Sequence, residues 1–464
     1  MFKRTACFLS ALFLLLISSI TAFAQSEDEM KEILRFNQLA MQGLTGSEEQ
    51  KKEATDFFAK RGGTDMIPTL VLMMRIGGDS IHTARALKEL TGEDLKTWYE
   101  AMEWQEAHPE VRPHPSYQIF KLRYLANIDK RFFELFDPRR TGPLGMRIRF
   151  EEVTWGGAKF DTIRSLDNPK MISVAEADYL NDDDLVFGVS INGDAKAYPL
   201  RILGWHEMVN DVIGGVPVAL AYCTLCGSGI LFETQLEEGR EPLVFGSTGL
   251  LYRSNKLMFD RATYSVWNHF TGEPVIGPLT HTGIKLKIRP NVITSWAEWR
   301  KTNPKTTVLS LETGYIRDYD PGVVYKDYFA SPDLMFPAVV RDESVMKRKD
   351  YVFGIRDVAA ARAWPISVFA GGQVVNDMIG TTNIVLIGDE SSRTVRAYKR
   401  GDQTFNASGE ASSLQSDDGQ IWRYDEASLK GPNGESFARM PGHVSYWFAW
   451  DGYMGVKSSL YARK

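Results

Sequence analysis

Cys223 and Cys226 stand two residues apart in the run Tyr222-Cys223-Thr224-Leu225-Cys226-Gly227-Ser228-Gly229. Sulfurs at that spacing can bond to each other or aim together at one soft cation. The flanking residues say what carries them. Val216 to Cys223 reads as a buried strand and Ile230 to Phe232 as a second one, so the pair occupies a tight strand-to-strand turn. A dithiol of the thioredoxin type needs a helix beginning at its first cysteine to lower the thiol pKa, and Ile230-Leu231-Phe232 directly after Gly-Ser-Gly argues against that helix.

The turn is similar to the metal knuckle of rubredoxins and zinc ribbons. There, glycine lets backbone N–H groups bond the sulfurs, and those bonds together with the metal keep them as thiolates. One knuckle supplies two ligands where tetrahedral zinc takes three or four. The further candidates are His206, His269, Asp260 and the thioether of Met258, with His206 on the segment leading into the cysteine strand. Two thiolates and an imidazole suit copper(I) or zinc, and a methionine nearby in an exported protein leans towards copper. Glu207 is the candidate general base beside such a metal. The competing expectation is a disulfide, redox-active or merely structural, because exported cysteine pairs oxidise unless a metal holds them. A polar, glycine-rich stretch from Phe245 to Trp267 adds Tyr252, Arg253, Asp260 and Arg261 as possible substrate-binding residues. Either arginine is able to clamp an anion bidentately, while the glycines lack the Gly-Lys-Ser/Thr of a phosphate loop.

These residues must be positioned by a protein built for export. Lys3 and Arg4 precede an apolar run from Cys7 to Ile20 and then Ala22-Phe23-Ala24, the pattern of a signal peptide over residues 1–24 cleaved before Gln25. The expectation is a periplasmic or secreted protein with no stable membrane span, since no later apolar run is long enough. Cleavage removes Cys7, so Cys223 and Cys226 are the mature protein's cysteines, which excludes a disulfide-rich scaffold. A net charge of −5 offers no basic field for nucleic acid. The expected partner is a small-molecule substrate of unknown identity, or a metal donor.

Residues 25–140 read as helices, in the manner of HEAT-type pairs, from the spacing of Met30-Ile33-Leu34, Ile67-Leu70-Met73-Met74 and Leu87-Leu90-Trp98. A proline-rich connector follows at His108 to Tyr117, then a last helix from Phe120 to Leu135. Past residue 145 short β-branched and aromatic runs alternate with glycine, asparagine and aspartate, which is the texture of strands.

This strand-rich part repeats itself. Val186 to Gly214 aligns without gaps on Val352 to Gly380, with 11 identities in 29 positions where chance gives roughly two. Trp296/Trp299 and Trp447/Trp450 recur at the same spacing, and Gly277-Pro278 pairs with Gly431-Pro432. The chain is therefore expected to be α+β: a helical segment, a first unit over 145–315, and a second, degenerate copy over 316–464. A duplication separates scaffold from chemistry. Residues kept in both copies, Pro199/Pro365 and Asn210-Asp211/Asn376-Asp377, read as scaffold, the Asn-Asp pairs as helix ends. His206, Glu207, Cys223 and Cys226 become Gly372, Gln373, Asp389 and Ser392, while Tyr424 takes the place of His269. A pocket between the two units, lined partly by aromatics, is the natural place for a substrate.

The motifs Ala197-Tyr198-Pro199, His206-Glu207-Met208-Val209-Asn210-Asp211, Tyr222-Cys223-Thr224-Leu225-Cys226-Gly227 and Gly249-Leu250-Leu251-Tyr252-Arg253-Ser254 resemble the bacterial family known as domain of unknown function 3179. Met258-Phe259-Asp260-Arg261 and Ser265-Val266-Trp267 fit it too, over residues 145–455. Thr224 departs from it, where the resemblance leads one to expect proline. The family name implies no activity. The functional expectation is a metal-dependent enzyme or metal-handling protein, with a metal-free thiol–disulfide protein or a non-enzymatic interaction module as alternatives.

Overall fold

The computed structural model describes residues 26–462 apart from 79, 143 and 357–359; the expected signal peptide, with Cys7, lies outside the described residues. The chain begins with helices α1 (Glu27–Thr45), α2 (Glu48–Arg61), α3 (Ile67–Gly77), α4 (Ile81–Thr91), α5 (Trp98–Ala107), α6 (Ser116–Ile128), α7 (Arg131–Leu135) and α8 (Pro138–Thr141). Their starts follow local chemistry: Ser26 caps α1, and Ser47 with Gln50 and Thr97 with Glu100 form capping boxes on α2 and α5. The helix expected from Phe120 to Leu135 is two helices, because Asp129 breaks it by accepting the Arg131 N–H at 3.1 Å. The helical segment is no detachable appendage. Leu70, Phe120 and Phe136 share one apolar cluster with Leu250, Phe259 and Ile276 of the strand-rich part.

The first copy contains β1 (Leu185–Ile191), β2 (Asp194–Pro199), α9 (Leu200–His206), β3 (Met208–Ile213), β4 (Val216–Cys223), β5 (Ser228–Glu233), β6 (Phe245–Tyr252), β7 (Asn255–Asp260), β8 (Val266–Asn268), β9 (Glu273–Ile276), β10 (Lys287–Arg289), β11 (Val292–Ser295), α10 (Trp296–Thr302) and β12 (Thr307–Leu309). After α11 (Lys326–Ala330), the second copy repeats that order, with a short 3-10 turn (Ile366–Phe369) in place of α9. It runs β13 (Tyr351–Arg356), β14 (Ala361–Pro365), β15 (Gln373–Ile379), β16 (Thr382–Asp389), β17 (Thr394–Lys399), β18 (Phe405–Ala407), β19 (Ser413–Ser416), β20 (Ile421–Tyr424), β21 (Ser428–Lys430), β22 (Ser436–Met440), β23 (Gly442–Tyr446), α12 (Trp447–Met454) and β24 (Ser458–Leu460). The pairings repeat as well. β1 lies between β11 and β2, which runs parallel to β12; β13 lies between β23 and β14, which runs parallel to β24. The ladder β3-β4-β5-β10 recurs as β15-β16-β17-β22. Helices followed by two tandem strand-rich copies make an α+β protein.

The residues kept in both copies explain why. Gly188 and Gly354 sit where a side chain cannot, since an added Cβ would come within 2.2 Å of Trp299 and 1.9 Å of Trp450. The Asn-Asp pairs are not helix ends; they lie on β3 and β15. Asn210 donates its amide to the Phe245 carbonyl at 2.9 Å and accepts the Phe245 N–H at 2.9 Å. Asn376 does the same with Phe405, at 2.7 and 3.0 Å. Asp211 accepts from Tyr198 at 2.7 Å and Asp377 from Trp364 at 2.8 Å. Each asparagine thus stands in for a missing ladder partner and stitches one sheet to the next.

The copies meet through matching strands: β23 lies beside β5, and β11 beside β17. Apolar side chains of both fill the seam, with Phe187, Tyr222 and Leu231 in one cluster with Phe353, Trp364 and Val444. Gly188→Ala and Gly354→Ala should each destabilise the protein by about 1–3 kcal/mol, because the tryptophan ring must shift in a close-packed core. Urea unfolding measures this, and unchanged midpoints would show that the rings yield freely.

Candidate functional site

Cys223 closes β4 and pairs in register with Ser228, the first residue of β5. Between them the chain turns tightly: Cys226 N–H donates to the Cys223 carbonyl at 3.2 Å and Gly227 N–H to Thr224 at 3.3 Å. Gly227 has φ of 60°, the left-handed region that favours glycine. The two Cα atoms are 5.3 Å apart and the sulfurs are bonded to each other. Both cysteines are buried, in an apolar cluster that includes Met258, Val352 and Trp447.

The histidines do not join them. His206, the last residue of α9, has both ring nitrogens engaged elsewhere, Nδ1 with the Arg164 carbonyl at 2.7 Å and Nε2 with the Tyr319 hydroxyl at 2.5 Å. His269 gives Nε2 to the Ala221 carbonyl at 3.0 Å, on the cysteine strand but short of the sulfurs. Among the described residues no group of three or more His, Cys, Asp or Glu is gathered where a metal ion could be held. Asp260 is spent on structure, accepting from Thr263 N–H at 2.6 Å and from the Trp267 indole at 2.8 Å. Arg261 forks onto Asp161 at 2.8 and 3.0 Å. Arg253 is bound to Glu152 at 2.6 Å and to the Gly452 carbonyl at 3.0 Å. Tyr252 lines a different cavity, of about 780 Å³, with Arg112, Met146 and Phe150.

Glu207 occupies a left-handed position, φ 56°, where α9 ends. Its carboxylate receives the Ser247 hydroxyl at 3.2 Å and lies 3.4 Å from Lys256 Nζ, which also donates to the Glu207 carbonyl at 2.8 Å. Lys256 is buried, and burial lowers its pKa, with the Glu207 charge opposing that fall. It also joins the two one-copy residues, since its charge acts on His269 as well. Burial first, then Lys256, pushes His269 down to about 3. Burial likewise lowers His206, against the pull of the Arg164 carbonyl.

The cavity at the seam measures about 610 Å³ and is lined by Tyr222, the residue before Cys223, and by Asp183 and Asp184. Its aromatic wall is Tyr222, Tyr351 and Tyr446, and its cations include Arg201, Lys349 and Arg393. Tyr351 and Tyr446 stack at 4.5 Å and press on Gly227, where an added Cβ would meet both rings. The turn itself holds the wall in place. Tyr446 N–H donates to the Cys226 carbonyl at 2.8 Å, and Tyr328 Oη to the Leu225 carbonyl at 2.6 Å. Arg393 Nη1 donates to Tyr351 Oη at 2.6 Å. Lys349 is anchored on the Tyr328 and Ser331 carbonyls. Arg201, by contrast, is paired with Asp184 at 3.4 Å. The aromatic pocket between the copies is present, while its cations come from residues the motifs do not mark. Their signal is the same duplication read from the other side: Tyr351 stands where the first copy has Leu185, and Arg393 where it has Gly227.

The family model for proteins of unknown function, DUF3179, matches residues 160–456. The chain belongs to that family. No curated protein and no solved structure matches it. In this DUF3179 protein the match spans both copies, the cysteine turn and the seam.

One consequence concerns acid. His269 stays neutral in the fold down to about 3 but takes up a proton near 6.5 when unfolded, so its share of stability is complete above the unfolded value and lost as pH falls through that window. Urea unfolding at about pH 7 and about pH 5 should show a smaller loss for His269→Gln, whose amide still reaches the Ala221 carbonyl. An identical loss would take His269 out of the titration.

Proposed function

We propose that the protein is an exported binding protein for a small anionic molecule held at the seam, with the Cys223–Cys226 bond locking the turn on which that cleft rests. One observation carries this reading: Arg393 and Lys349 line the cleft with no carboxylate partner within salt-bridge distance among the described residues. Cations left unpaired in a half-enclosed, aromatic-walled cavity are stabilised by an incoming anion. The phenols add hydrogen-bond donors, since burial holds Tyr222 and Tyr446 well above the ordinary phenol range and so protonated. The stacked Tyr351 and Tyr446 rings suit a ligand with a flat apolar part. The oxidising compartment expected from the leader favours the disulfide.

The turn geometry favours one second reading. Reduced, a knuckle that ends in a left-handed glycine presents two thiolates to a soft cation such as copper(I), or to zinc if other ligands are supplied. Free-thiol titration and elemental analysis of protein purified from the periplasm decide between them. The lock predicts no free thiol and no bound copper or zinc, and about one equivalent of metal on a protein with titratable thiols would install the metal reading instead. For the ligand, benzoate and phenyl phosphate are suitable calorimetric probes. Arg393→Ala should weaken their binding about tenfold or more, the loss of one charge-assisted hydrogen bond. Undiminished binding in both Arg393→Ala and Lys349→Ala would move the ligand elsewhere.

A further inference from the structure

A second cluster of basic groups lies away from the cleft, in the interior of the seam. Arg356 ends β13 and His443 lies on β23, opposite Gly354 in the register. Gly354 has no side chain, so the Trp450 ring packs directly over its backbone. From the first copy Phe270 closes the group, its ring 4.9 Å from His443 and 5.3 Å from the Arg356 guanidinium carbon. Trp450 and Tyr453 complete the wall, 5.8 and 5.1 Å from the Phe270 ring.

In this enclosure the basic side chains lack hydrogen-bond partners among the described residues. All three guanidinium nitrogens of Arg356 are buried without a hydrogen bond, although the residue as a whole is partly exposed. His443 is 4% exposed, and its Nε2 is also unpartnered. The carboxylate whose charge acts on Arg356 is Glu273, already engaged by Arg147 at 3.1 Å and Lys285 at 3.3 Å. His269 adds no negative charge either. Its Nε2 donates to the Ala221 carbonyl, which leaves Nδ1 an acceptor and outside any set of donors to an anion. A guanidinium removed from water with neither counter-ion nor acceptor costs several kcal/mol.

We propose that this enclosure is a binding site for a small carboxylate, held by the Arg356 fork with His443 Nε2–H as the additional donor. The planar guanidinium matches a planar carboxylate bidentately, which a spherical ion cannot do. The aromatic walls limit the ligand to a short one. Burial and the neighbouring Arg356 charge keep His443 neutral, so it offers a proton without adding a second buried cation. The pair belongs to the second copy alone, since Ser190 and Val292 hold the equivalent places in the first.

The test is equilibrium dialysis of the full-length protein against radiolabelled formate in sodium chloride, with thermal unfolding as formate replaces chloride at constant ionic strength. Wild type should retain about one equivalent and show a saturable rise in melting temperature. Arg356→Met should lose both and, freed of an uncompensated charge, be at least as stable as wild type in chloride alone. His443→Phe keeps the wall and serves if the methionine variant misfolds; its formate affinity should fall severalfold. No retained formate, or equal retention by wild type and both variants, overturns the proposal. So does a melting-temperature rise that Arg356→Met reproduces.

Discussion

The interface of β5 with β23 and of β11 with β17 holds the two copies as one body, and most of what is distinctive in the molecule depends on it. Each copy alone would present to water the apolar faces that now fill the shared clusters. This seam is stabilised by burial of apolar surface, at about 25 cal/mol per Å². It also fixes the cysteine turn, because the Tyr446 N–H to Cys226 bond and the tyrosine rings on Gly227 come from the opposite copy. The seam cavity is consequently composite, with Tyr222 and Arg201 supplied by the first copy and Tyr351, Tyr446, Lys349 and Arg393 by the second.

Duplication constrains such a site in a specific way. Side chains that seat the fold must stay the same twice: the glycine under a tryptophan, the asparagine that clamps a phenylalanine backbone, the aspartate that receives an indole or phenol. Side chains at the seam are released from that demand, since equivalent positions face different surroundings. Gly227 and Arg393 show it well. Both are left-handed, with φ of 60° and 54°, so the backbone is conserved while one copy offers clearance for two rings and the other a guanidinium.

The sequence was readable wherever the signal was local or periodic. The strand before Cys223, the turn and the strand after it follow from apolar runs broken by glycine, and helix caps such as Ser47 with Gln50 follow from residue type. The asparagines look like turn residues for an identifiable reason. Asn-Asp before Ile-Gly has the local composition of a turn, and only the tertiary partner, Phe245 or Phe405, reveals a strand residue bonding sideways. Arg253 and Arg261 looked available because sequence cannot display Glu152 and Asp161, which lie far away along the chain and occupy them. His206 is close to β4 in sequence, which would point it towards the cysteines. One left-handed residue, Glu207, turns the chain there and leaves the imidazole facing Tyr319 instead.

The first copy retains polar groups in its interior that the second does not. Glu207, Lys256 and His269 form a buried polar track along the cysteine strand, and Arg356 with His443 extends it across the seam. Well-packed apolar side chains in their places would generally be no less stable, because desolvating ions offsets much of their attraction. Packing alone therefore does not explain a buried carboxylate, ammonium, two imidazoles and the buried nitrogens of a guanidinium in one track. The helical segment contrasts with this: its exposed ion pairs, such as Lys31 with Glu27, contribute little and lie on a solvated face. At the seam and along β4, by contrast, burial makes each polar group costly to keep.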